Sequence, residues 1–398
     1  MKEIENVIFE KNAIKKMCDE LKSYNRIFVL TSPTPKQQYF PILSNMLSEN
    51  KLTFWSHTLP QNALCNSDNV LKACSKVNGA QIIVALGAGT VADIAKIVSK
   101  KLELPLFVLP TTITHYGVFN NVSILTDVYP KFIETPFPKK VFLDENIIHK
   151  SPEKFINSTL CFSISLLEHA FFLEANNILT QENNVNILEL KNKIKKIEEL
   201  TGWLALSKSF AILNLMDYVF DLSQILLGNY KNSSVIFANM LKCSTLKNNF
   251  GEKILLSSQV LLKTYLEFFK QKIITPKNIP NREKILFLLT QKPITSTLKT
   301  DFVAEDCFNN FIYSSNKLLN QKLQFNLQKN RIALLGLCQE KQSFISKFLK
   351  KVNLTGNQSK NLRMINENQL FESLQLLPLF SPVFLPKILS RFGYLDVV

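Results

Sequence analysis

Between residues 26 and 143, short β-branched or aromatic runs alternate with segments of helical spacing, and this alternation restricts the fold more than any other feature. Residues 26–32 (RIFVLTS), 52–59, 81–86 and 104–110 predict strands, while residues 37–50, 67–77 and 91–102 predict helices. Strands separated by helices of about ten residues imply βαβ units and a parallel sheet. Prolines at 130, 136 and 138 predict irregular or hairpin structure, and residues 140–143 a last short strand. From about Ser151 the strand signals fade and long amphipathic helical patterns take over. The expected fold is therefore a Rossmann-like parallel α/β domain over residues 1–150, followed by a helical domain over residues 151–398.

Composition excludes several classes of function. Apolar residues make up 46% of the chain and charged residues 20%, which is globular rather than disordered. Apolar stretches are interrupted by Glu168, Glu174 or prolines, so no membrane span of about 18 residues is expected. Glu3 and Glu5 stand where a secretory signal would carry its apolar segment. Seven cysteines without regular spacing fit a reducing compartment, and the expectation is a cytoplasmic protein. The net charge of +15 comes from lysines scattered along helical faces, as in LKNKIKKIEEL, so a solvated surface is expected rather than a nucleic-acid partner.

Two loops carry the chemistry. Gly87-Ala-Gly-Thr-Val-Ala-Asp-Ile-Ala-Lys96 follows a predicted strand and opens a predicted helix. It holds two of only ten glycines, at a point where backbone must turn tightly and approach a ligand. Amides at a helix N-terminus suit a pyrophosphate, so Gly87, Gly89, Thr90, Asp93 and Lys96 are candidate nucleotide contacts, with Thr90 also a helix cap. The second loop, LPTTITHYGVFNN from Leu109, follows the next strand and offers Thr111, Thr112, His115 and Tyr116. Ligands of open α/β sheets collect at the carboxyl ends of strands, where both loops lie.

Together the loops resemble those of the dehydroquinate synthase and iron-containing alcohol dehydrogenase superfamily, and within it are most similar to glycerol-1-phosphate dehydrogenase. PTTITHYGVFNNVSIL sits on the pattern of that family's second loop, and PFPKKVFLDENII resembles its next strand. ANML (238–241), NNFGEK (248–253) and LPKILSRFGYLD (385–396) resemble its helical-domain motifs and C-terminal helix. The resemblance implies NAD or NADP as cofactor, a small (phospho)polyol or ketone as substrate, and self-association into a homo-oligomer.

It also implies a divalent metal held by one aspartate and two histidines, and there the sequence departs. The corresponding positions are Phe162, Met240 and Phe250. The four histidines are His57, His115, His149 and His169, so none lies in the later helical segments. Tyr116 stands in place of the second loop's acidic residue. Removing a hydride from an alcohol carbon requires the hydroxyl proton to leave, which a bound zinc promotes. Phenylalanine and methionine supply neither oxygen nor imidazole nitrogen. The expectation is a degenerate or non-catalytic homologue that keeps a nucleotide site and holds no metal. Two routes to activity stay open: a metal-free relay through Tyr116 and Lys96, with His115 as a second acid/base, or relocated ligands among Cys161, Cys243, His169 and Glu252.

Overall fold

The computed structural model describes residues 7–113, 116–127, 130–180, 187–206, 250–271 and 321–352, with Asn214, Leu215, Tyr218, Val219 and Ala238 besides. The chain forms two compact units, Met1–Thr159 with Leu206–Leu227, and Leu160–Ala205 with Gly228–Val398.

The first unit opens with β1 (Val7–Glu10), α1 (Ala13–Leu21), β2 (Arg26–Thr31), α2 (Pro33–Gln38), α3 (Phe40–Glu49), β3 (Thr53–Thr58) and α4 (Ser67–Lys76). It continues through β4 (Ile82–Leu86), α5 (Thr90–Leu102), β5 (Leu106–Leu109), a 3-10 turn (Tyr116–Phe119), β6 (Val122–Thr126), β7 (Pro130–Glu134), β8 (Lys140–Asp144) and α6 (Glu145–His149). Six strands form one parallel sheet in the order β1-β8-β5-β4-β2-β3. The proline-marked segment is an antiparallel hairpin, β6 with β7. The segment expected as one helix over 37–50 is two, α2 and α3, broken at Tyr39. Pro41 lies in the first turn of α3, where its missing N–H leaves no helical bond unmade.

Alternation along each strand sends side chains to two cores. Ile27 and Val29 of β2, with Ile82, Val84 and Leu86 of β4, pack against Met17 and Leu21 of α1 and Leu43 and Leu47 of α3. On the other face Phe28 meets Trp55 at 6.2 Å between ring centroids, and Trp55 Nε1 donates to the Lys76 carbonyl at the end of α4. Asp144 closes the unit. Its buried carboxylate accepts from the Ile14 amide at 3.1 Å, and from the Asn146 and Ile147 amides at 3.0 and 3.2 Å. One side chain therefore serves the first turns of both α1 and α6, which lie far apart in sequence.

α7 (Glu153–Ser163) and α8 (Ser165–Thr180) follow one another across a single turn residue, Ile164. The stretch Glu153–Thr180 is, by length and composition, apolar enough to cross a membrane even with Glu168 inside it, which the sequence reading did not allow for. Its apolar window is 83% buried in the protein, as in a core helix.

The described part of the second unit is helical: α8, α9 (Ile187–Leu206), α10 (Phe250–Lys270), α11 (Gln321–Lys329) and α12 (Arg331–Val352). Phe171 packs on Tyr265 at 5.3 Å between centroids. Glu174 binds Lys341 of α12 at 3.0 Å and Lys191 of α9 at 3.2 Å, joining three helices. Arg331 Nη1 donates to the Phe269 carbonyl, completing the last turn of α10.

His169, on α8, is buried, and burial pushes its pKa from 6.5 down to about 4. Between those values the unfolded chain binds a proton that the folded chain refuses. Stability should thus be full above about pH 6.5 and fall toward pH 4, by roughly 3 kcal/mol for this group. His169→Gln should flatten that slope. An unfolding midpoint equally pH-dependent in variant and parent would refute the assignment.

Candidate functional site

The strand order places a switch point between β2 and β4. β2 continues through α2 and α3 to β3 on one side, and β4 continues through α5 to β5 on the other. Chain leaves the two neighbouring strands in opposite directions, and the carboxyl ends of strands open a crevice there. Thr31 Oγ1 donates to the Leu86 carbonyl at 2.9 Å and pins the two strand ends together.

Gly87 and Gly89 form the wall of this crevice. The Gly87 amide donates to the Leu109 carbonyl at 3.0 Å, joining the first loop to the start of the second. Gly87 has φ +148°, and a Cβ there would lie 3.0 Å from Val91 Cγ2. Gly89 has φ +55° and ψ −118°, a conformation open in practice to glycine alone. It is the N-cap of α5, so Thr90 is the first helical residue and not the cap that the sequence suggested. No side chain caps this end of the helix, and Ala88, Gly89 and Thr90 are half-exposed. First-turn amides have no acceptor inside their own helix, and the helix dipole adds partial positive charge. Such an end suits an anion.

Asp93 and Lys96 are both engaged within the fold. Both are buried in α5, with Lys96 Nζ 3.5 Å from Asp93 Oδ1. The Lys96 ammonium donates to the Gly117 carbonyl at 2.7 Å, to Asn120 Oδ1 at 3.1 Å and to the Val122 carbonyl. Burial lowers its pKa, and the neighbouring Asp93 carboxylate opposes that shift. Three oxygens thus take the three protons of a side chain expected to reach an anion or relay a proton. The pair also offsets the Asp93 charge, which would otherwise oppose an anion at the helix end.

In the second loop Thr111 is buried and Thr112 half-buried. Thr159 of α7 donates its hydroxyl to the Ile113 carbonyl. The Tyr116 backbone begins the 3-10 turn. His115, and the side chain of Tyr116, lie outside the described residues, as do Met240, Cys243, the motif at 385–396 and the side chain of Phe250. Phe162 is described: it is buried in α7 and presents only carbon. Cys161 beside it is fully buried, and its thiol is pushed up by burial and then by the Glu252 carboxylate. Among the described residues no three His, Cys, Asp or Glu side chains gather as a metal would need.

The sequence reading missed Asn120, whose Oδ1 accepts from both Lys96 Nζ and the Val122 amide. It also missed Asp127, whose carboxylate takes the Ser67 amide at 2.7 Å and hydroxyl at 2.6 Å and so fixes the hairpin end to α4. The bond from Lys96 to Asn120 and those from Ser67 to Asp127 join residues distant in sequence and leave no local signal; only the Asn120–Val122 bond is local.

The arrangement is a parallel α/β domain with a crevice at its switch point, and comparison with known proteins shows what it is similar to. Residues 7–152 match the family model of iron-containing alcohol dehydrogenase. The glycerol-1-phosphate dehydrogenase of Nitrosopumilus maritimus, an NAD(P)+ protein by name, is 30% identical over 117 residues. That is 29% of this chain and 32% of the relative. The protein of the same name from Methanosphaera stadtmanae is 27% identical over 140 residues, 35% of this chain and 39% of the relative. The matched part therefore spans about a third of the length of these curated relatives. Likeness of fold extends much further. A probable glycerol dehydrogenase from Sinorhizobium meliloti superposes with a TM-score of 0.59 at 14% identity, covering 98% of this chain and 96% of that one. NADH-dependent butanol dehydrogenase A from Thermotoga maritima gives 0.59 at 12% identity, covering 98% of each. Over residues 7–152 the chain is similar to iron-containing alcohol dehydrogenases, in line with the resemblance read from its sequence, and with the solved structures it shares the fold.

Proposed function

We propose that the first unit binds NAD or NADP with the diphosphate on the amides of Ala88, Gly89 and Thr90, and that the chain is a glycerol-1-phosphate dehydrogenase homologue without metal-dependent hydride transfer. The observation that carries the nucleotide half is the uncapped, half-exposed start of α5 at the switch point, entered through two glycines with positive φ. Thr111 and Thr112, at the end of the adjacent strand, add hydroxyls on the same side of the sheet.

The metal that the family implies finds no fit in the side chain that is described at its positions. Phe162 stands where the resemblance assigns an aspartate, and a buried phenyl ring has no lone pair to offer. The residues do support retention of a bound dinucleotide: glycine backbone gives close approach, first-turn amides hold the diphosphate, and the Asp93–Lys96 pair keeps the helix end free of net negative charge. The alternative of a metal-free relay loses support from Lys96, whose protons are all engaged by the 117–122 segment.

Titration of NADH and NADPH fluorescence against the purified protein tests the nucleotide half, with saturable binding of one or both expected. Zinc analysis and a glycerol-phosphate oxidation assay before and after chelation test the other half. No activity and an unchanged melting temperature are expected after chelation, because no ligand-linked stabilisation would be removed. Stoichiometric zinc with activity lost on chelation would overturn the non-catalytic reading and leave the nucleotide reading standing.

A further inference from the structure

We infer that Lys96 is a positioning residue that acts as a built-in cation, holding residues 117–122 in place beside the proposed nucleotide site. Its ammonium meets two backbone carbonyls and one amide oxygen, with a carboxylate just beyond hydrogen-bonding distance. All-oxygen surroundings of this kind are those of a bound monovalent cation. The segment it holds runs from the 3-10 turn through a bend into the first residue of β6; Val118, Phe119 and Val122 are buried and the Asn121 carbonyl accepts from the Thr135 amide at 2.7 Å, while Lys96 supplies its charged contact. Asn120 is shared between the ammonium and the Val122 amide, so losing the cation also loosens the turn leading into the hairpin. Lys96 reaches this segment from the helix whose N-terminus forms the proposed diphosphate site. It is thus a second polar link between the two loops, beside the Gly87–Leu109 hydrogen bond. The link to nucleotide affinity rests on the proposed function; the link to loop order does not.

Lys96→Ala retains Cβ and removes three carbons and the ammonium, a void with the outline of n-propylammonium. Hydrogen exchange in the full chain reads the effect. Amides at 117–122 should exchange at least about tenfold faster in the variant, relative to the strands β2 and β4, as expected for lost hydrogen bonds to a charged group. n-Propylammonium chloride should restore protection, whereas tetramethylammonium chloride and n-propanol at the same concentration should not. NADH affinity should fall and recover in step with protection. Unchanged exchange at 117–122 would overturn the inference. So would an equal acceleration throughout residues 7–152, or rescue by tetramethylammonium. If Lys96→Ala does not fold, Asn120→Ala removes one acceptor and leaves the charge. It should give a smaller acceleration confined to the same segment, and none there would equally overturn the inference. Should the parent protein not bind NADH, the proposed function fails while the exchange experiment still decides the role of Lys96.

Discussion

Asp144→Ala should destabilise the first unit by about 3–5 kcal/mol, because it removes the acceptor for three amides at two helix starts and leaves them without replacement in the interior. For a domain of this size that shift corresponds to a fall in melting temperature on the order of 10 °C. The geometry makes a finer statement. Oδ2 serves Ile14 of α1, and Oδ1 serves Asn146 and Ile147 of α6. Asp144→Asn keeps one carbonyl oxygen and can satisfy one helix but not both, so about half of the loss should remain. Urea unfolding of the three proteins measures the series. A loss below about 1 kcal/mol for the alanine variant would show that the two caps contribute little.

Gly89→Val should abolish dinucleotide binding, with a loss of at least about 100-fold in NADH affinity, or roughly 3 kcal/mol. Two effects act together. A branched residue at φ +55° and ψ −118° is strained, and its side chain would stand over the amides of the α5 N-terminus. Gly87→Ala offers a contrast. Its Cβ meets Val91 and not open space, so the expected result is a loss of stability of about 1–3 kcal/mol from overpacking. Titration of both variants, with circular dichroism as a check on folding, separates the two glycines. Undiminished NADH affinity in folded Gly89→Val would mean that the loop does not hold the diphosphate.

Most strands of the sheet were legible because β2, β4 and β5 are largely buried on both faces and the half-buried edge strand β3 still carries a β-branched and aromatic run, the local signal that sequence reading detects best. β1 and α1 were not legible. β1 is only four residues long and two of these, Phe9 and Glu10, are exposed, so nothing in the residues themselves sets it apart from a loop. The break between α2 and α3 could have been read from Pro41, which cannot donate to a preceding carbonyl. At the site, the glycine loop was legible since its conformational demand is local. The role of Lys96 was not, because its spacing in the helix says only where its stem begins. Its three partners lie more than twenty residues later and come near only when the hairpin packs on α5. Asp144 had a readable local half, an aspartate just before a helical run, while its bond to Ile14 spans 130 residues.

The edge position of β1 has a consequence for how the chain assembles as it is synthesised. β1 pairs only with β8, Val7 opposite Val141, so the first of the six strands of this sheet to be synthesised waits for the last. In the interval β2, β3, β4 and β5 can pair among themselves, since each has a neighbour already made. The free edge of β5 and the unplaced β1 then face the solvent together, a template and a strand that belong to one chain but fit others. Such long-range parallel pairing forms slowly. Arrest of the nascent chain with residues 111–139 at the tunnel exit should therefore favour exchange of β1 between neighbouring nascent chains, whereas emergence of Asp144 lets β8 seat between the two and closes that route.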